Sequence, residues 1–151
     1  MIDVLEPLRG PLLLGATLTA GLQAGTYYTW ASGVMPGLAR VDDQTFVHAV
    51  QEMNVAIVNP VFMASFLGAP VLAVAAALAV DAPVRPWALA AAGLALATFV
   101  ITVAGNVPLN DALAETGVRA DFETAWVRLN ALRAVTSTAS LACLAWAAWR
   151  S

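Results

Sequence analysis

The stretch PWALAAAGLALATFVITVAGNVPLN, residues 86–110, runs its whole length without an Asp, Glu, Lys, Arg or His. A helix that crosses a bilayer core needs about 20 consecutive, predominantly apolar residues. A helix on the surface of a soluble domain needs a charged face, and this stretch has none. The pattern recurs outward from it. Residues 10–39 contain nothing more ionisable than tyrosine, and residues 55–80 and 134–149 carry no charge. The last run reaches spanning length with its approach around Arg133 included. Only 11% of the 151 residues are charged, against about 25% in soluble domains, and the mean hydropathy is +0.76. The reading is all-α: a four-helix transmembrane bundle in one domain, residues 1–151, multi-pass in a cytoplasmic membrane of bacterial type.

Composition also excludes. A net charge of -3 with no basic cluster gives nothing to hold nucleic-acid phosphates. Asp3 and Glu6 against Arg9 do not make the basic start of a secretory signal, and the apolar run that follows is too long for one. Cys143 stands alone in the fourth run, without an internal disulfide partner. Arginine counts on the two sides of the membrane barely differ, so orientation stays open, as does an oligomer.

Along the chain, Gly21 and Gly25 have the small-residue spacing that lets helices approach closely in lipid. Tyr27, Tyr28 and Trp30 crowd the far end of the first span. Asp42 and Asp43 suit a helix N-terminus. From there Phe46, Val50, Met53 and Ile57 recur at helical spacing, with His48, Gln51 and Glu52 on another face. This predicts an amphipathic helix between spans one and two, kinked into the second at Pro60 and again at Pro70. The third span is expected over residues 87–105, with NVPLND (106–111) ending it because Pro108 forbids continuation. A polar link over residues 112–121 then leads to the fourth helix.

Polarity collects at one end of this bundle. On the fourth helix Trp126, Asn130 and Arg133 share a face, extended by Ser137 and Ser140, while Arg128 falls elsewhere. An arginine at the mouth of a membrane helix needs a partner, and Asp111 and then Glu52 are the expected ones. His48, Asn54, Asn59, Asn106 and Asn110 belong to the same end. NVPLND reads either as helix punctuation or as the wall of a pocket, with Asn106 the cap and Asn110 the ligand contact.

GLQAGTYYTWASGVMPGLARVDD, MNVAIVNPVF, NVPLNDAL and WVRLNALR, in this order, resemble the anthrone oxygenase-like family of small membrane proteins over nearly the whole chain. The resemblance implies a four-helix membrane protein. For some relatives it also implies oxidation of an anthrone by molecular oxygen. Many relatives carry a histidine where this chain has Ala131, so a base available to them is missing here. One histidine and one cysteine cannot form a typical nitrogen or sulfur metal site, and the expected chemistry uses neither metal nor cofactor. Deprotonation of an activated methylene gives an anion that reacts with O2 directly, given a base, hydrogen bonds to the oxyanion and an apolar enclosure. His48 or Asp111 is the candidate base. Arg133, Asn106, Asn110 and Asn130 are the candidate oxyanion partners, and Trp126, Tyr27 and Phe46 the holders of a flat lipophilic aromatic. Two other readings stand beside this one: a non-catalytic lipid- or quinone-binding protein, and a small structural subunit of a membrane complex.

Overall fold

The computed structural model describes residues 6–151; Asp3, used above against a signal sequence, lies outside the described residues. Five helices account for nearly all of it. Helix α1 (Arg9–Thr29) continues through a π turn (Trp30–Val34) into a last α turn (Met35–Leu38). Helix α2 is Asp43–Ile57, α3 is Pro60–Ala79, α4 is Arg85–Thr116 and α5 is Arg119–Arg150. Helices α1, α3, α4 and α5 pack as an antiparallel ring, each against two neighbours. Its closed end is marked by the ion pair of Arg9 with Asp81 and by the Trp87–Trp146 contact. Helices α3, α4 and α5 are long and apolar enough to cross a membrane.

Local chemistry sets the joints. The Asp42 carboxylate accepts from the Thr45 N–H (3.0 Å) and hydroxyl (2.7 Å), the N-cap interaction that starts α2. Asn59 accepts from the N–H groups of Val61 and Phe62 and donates to Ala56 O, tying the end of α2 to the start of α3. Pro60 is therefore the first residue of a capped helix, where the sequence suggested a kink. The guanidinium of Arg85 closes α3 by donating to Val80 O. Gly117, at φ +65°, ends α4 in the left-handed conformation, its N–H bonded to Leu113 O.

The expected break at NVPLND is absent. Helix α4 runs through it, because a π turn (Thr102–Asn106) immediately precedes Pro108 and Val107 N–H reaches back five residues to Thr102 O. A π turn opens the ladder where a proline ring would strike a carbonyl four residues back. The same device lets α1 pass Pro36, with Met35 N–H bonded to Trp30 O.

At 1.5 Å per residue α4 and α5 are each about 48 Å long and α3 about 30 Å, so both overhang α3 by about 18 Å. The overhang, the end of α1 and α2 enclose an aromatic core of Met35, Phe46, Val50, Leu113, Phe122 and Trp126. The other half of the ring is cored by alanines, among them Ala16, Ala73, Ala76, Ala88 and Ala91, small residues that let backbones approach. Between the two cores lies a layer holding the buried polar side chains: Gln23, Ser65, Thr98, Thr102, Asn106, Asn130, Arg133, Ser137 and Ser140.

Candidate functional site

The α5 stripe expected from spacing is present. Trp126, Asn130, Arg133, Ser137 and Ser140 are all buried, whereas Arg128 and Ala131 are exposed. A side chain at position 131 therefore projects off the stripe, and the missing histidine does not leave a gap in it.

Arg133 is 6% exposed. Its Nη2 donates to Asn130 Oδ1 (3.0 Å), and its Cζ lies 4.5 Å from the Tyr27 ring centre and 5.1 Å from that of Trp126. Its Nε has no acceptor. The expected carboxylate is not there: the ion pairs among the described residues are Arg9–Asp81, Arg119–Asp43 and Arg119–Glu123. Asp111 and Glu52 are both exposed. Because α4 continues as a helix past Pro108, Asp111 falls on its outer face rather than being turned inward. Aromatic faces and one amide oxygen stand in for a counter-ion.

The amides hold this arrangement. Asn130 Nδ2 donates to Tyr27 O (3.1 Å), joining α5 to α1. Asn106 Nδ2 donates to Trp126 O over a long 3.4 Å, and its Oδ1 is buried without a donor. Asn110 Oδ1 accepts from the Trp126 indole N–H (2.9 Å). Both asparagines of NVPLND thus face α5, without the helix break that was to turn them. From Arg133 a chain of contacts leads outward. The Tyr27 hydroxyl donates to Gln23 Oε1 (2.7 Å), and Gln23 Nε2 donates to Ser65 Oγ (2.9 Å).

Two hollows adjoin this chain. A small cavity of about 20 Å³ is bordered by Gln23, Tyr27, Phe66, Thr98, Phe99 and Ser137 among others. A groove of about 510 Å³ opens on the side of the bundle between α1, α2 and α3, lined chiefly by Leu22, Trp30, Met53, Ile57 and Phe62. Ser65 reaches the groove and Gln23 the cavity, so their hydrogen bond is part of the wall between them. Trp30, on the groove side, lies 5.1 Å from the Trp126 ring.

Three sequence candidates fall outside. His48 is exposed and borders a separate open groove with Asp43, Gln44 and Gln51. Asp111 is exposed. Phe46 is fully buried in the aromatic core, edge-on to Phe122 and covered by Arg119 at 4.2 Å, leaving no face for a ligand. The sequence reading gave no role to Gln23, Ser65, Thr98 or Thr102. The signal for two of them was present: Gln23 stands four residues before Tyr27, and Ser65 interrupts an apolar run.

A family model described as Anthrone oxygenase matches residues 54–143, well over half of the chain. The match includes Ser65, Asn106, Asn110, Trp126, Asn130 and Arg133, while Gln23 and Tyr27 lie before it. No curated protein and no solved structure matches the chain.

Proposed function

The chain belongs to the anthrone oxygenase family, and on that premise we propose that it is a four-span membrane oxygenase. In this reading it oxidises a flat lipophilic aromatic, whose activated methylene is conjugated to a carbonyl, with O2 and without a cofactor. Helix α1 is the fourth crossing. It turns Leu14, Leu18 and Leu22 outward and Gln23 and Tyr27 inward, which lowers its mean hydropathy without exposing that polarity to lipid.

The observation that carries the reading is Arg133, a buried guanidinium with no carboxylate partner among the described residues. A buried charge without a partner is costly, and an anion formed on the substrate supplies the partner. The groove holds the rings against Phe62; Arg133 lies behind its wall, and Trp30, packed on Trp126, turns aside so that the carbonyl oxygen reaches the guanidinium. Loss of a proton from the methylene places negative charge on that oxygen, where the guanidinium and Asn106 Nδ2 stabilise it. This stabilisation makes the methylene acidic enough to lose its proton to water in the groove, so His48 and Asp111 are not required. The carbanion then gives one electron to O2, and the resulting radical and superoxide combine to form the C–O bond. Protonation gives a hydroperoxide, which loses water to leave a second carbonyl.

Oxygen consumption with an anthrone, in nanodiscs and above the autoxidation background, tests this. Removing one oxyanion donor typically lowers turnover by about 10²–10³-fold, so Arg133→Met is expected to lose at least about 100-fold while Arg128→Met stays near the parent. The melting temperature of Arg133→Met is expected to stay near the parent's, since relief of a buried charge is offset by the loss of the donor to Asn130 Oδ1 and of the contacts with Tyr27 and Trp126. Equal turnover by Arg133→Met and the parent would end the reading. Binding of the anthrone by the parent without turnover would replace it with a carrier role.

A further inference from the structure

The small cavity does not fit the aromatic substrate, and we infer that it is a dioxygen site. It lies among α1, α3, α4 and α5, and about 20 Å³ of room admits one molecule of roughly the size of water. Its walls are largely carbon: Ala20, Phe66, Ala69, Pro70, Ala95 and Phe99.

The hydroxyl protons on its border are already committed. Ser137 donates to Arg133 O (2.6 Å) and Ser140 to Ala91 O (2.8 Å). Thr98 bonds Leu94 O and the Thr136 hydroxyl. Tyr27 donates to Gln23, and Gln23 to Ser65. The buried side-chain atoms left without a partner, Asn106 Oδ1 and Arg133 Nε, belong to residues that do not line this cavity. An ordered water needs two to four polar partners; the hydroxyl protons here are committed elsewhere, and most of the wall is carbon. A small apolar diatomic needs no polar partner. Tyr27 is shared between this cavity and the Arg133 cluster, which sets the gas beside the place where the substrate anion forms. The groove then holds the aromatic and the cavity holds the oxidant.

The identity of the gas rests on the oxygenase reading; the gas site itself can be measured without turnover. The probe is dissolved O2 acting on methyl-labelled protein in nanodiscs, read as paramagnetic relaxation of the alanine methyls. Ala20, Ala69 and Ala95 are expected to relax several-fold more than Ala76, Ala88 and Ala147, which are buried in the alanine core and do not line the cavity. Filling the cavity by Ala95→Leu, or from the opposite helix by Ala69→Leu, should remove the excess. Either variant should also raise the KM for O2 several-fold with anthrone affinity unchanged. Equal relaxation of the two alanine sets in the parent protein would overturn the site, even with O2-dependent turnover intact. Excess relaxation in a protein that shows no turnover would support the gas site and overturn the oxygenase reading instead.

Discussion

The two π turns, Trp30–Val34 in α1 and Thr102–Asn106 in α4, are the same backbone device used twice. Each carries a glycine at its fourth position, Gly33 and Gly105, and each is followed by a proline at the same distance, Pro36 and Pro108. Yet they serve different ends. The first exposes Ala31, Ser32 and Gly33 and gives Trp30 and Val34 to the side groove. The second buries Thr102 and Asn106 against α5. A π turn widens a helix and lets it pass a proline; the side chain at its last position, valine in one and asparagine in the other, decides whether it contributes polarity to a site.

The largest test of that contrast is the pair Asn106→Ala and Val34→Ala. A hydrogen bond to a charged group contributes about 1.5–3 kcal/mol, so Asn106→Ala should lower kcat/KM by roughly 10- to 150-fold. Val34→Ala removes only apolar wall and should change it by no more than about fivefold, mostly in KM. Next comes the Trp126 indole, which packs on Trp30 of the first turn and bonds Asn110 beyond the second. Trp126→Phe removes the bond to Asn110, and a double-mutant cycle with Asn110→Ala should show a coupling of about 1 kcal/mol in thermal or denaturant stability.

The glycines give a smaller effect of opposite sign. A Cβ at Gly33 meets nothing within 4 Å, so Gly33→Ala should gain up to about 1 kcal/mol of helix propensity. A Cβ at Gly105 would come 2.8 Å from Leu129 Cδ1; Leu129 must turn aside, and Gly105→Ala should gain nothing or lose stability. Equal melting shifts for the two would show that α4 and α5 are not in close contact at the second turn.

The smallest effect is acid fraying of α2. Hydrogen bonds from the Thr45 side chain and backbone hold the Asp42 carboxyl below its ordinary pKa of 3.8. A carboxyl with a depressed folded pKa contributes stability that is present above the unfolded value and lost as pH falls through the folded one. Amide protection over α2, relative to the intrinsic exchange rate, should therefore fall below about pH 4, and Asp42→Asn should flatten that dependence. The helix after the second π turn ends at Gly117 without such a cap and should not share it.

The fold was legible because uncharged length is a strong signal. The four apolar runs became the four ring helices, and Asp42 capped α2 as its charge suggested. The course of α4 through Pro108 was not legible, since a π turn leaves no mark in hydropathy and proline alone argues for a stop. The α5 stripe could be read from spacing, because residues three and four apart share a face. Its partners could not. A carboxylate for Arg133 was the economical expectation, but Asp111 lies on the outer face of an unbroken helix, and Tyr27 and Trp126 supply ring faces instead. Phe46 carried a correct periodicity but lies in the aromatic core, because a core residue and a ligand wall have the same spacing.

In the proposed reaction the substrate supplies the counter-ion that Arg133 lacks among the described residues. Anaerobic absorption spectroscopy tests this most directly. Without O2, an anthrone added to the protein should show the spectrum of its deprotonated anion at a pH where the free compound is neutral. Arg133→Met should bind the compound and leave its spectrum neutral. A neutral spectrum on the parent protein, or the same anion spectrum on both proteins, would contradict the account.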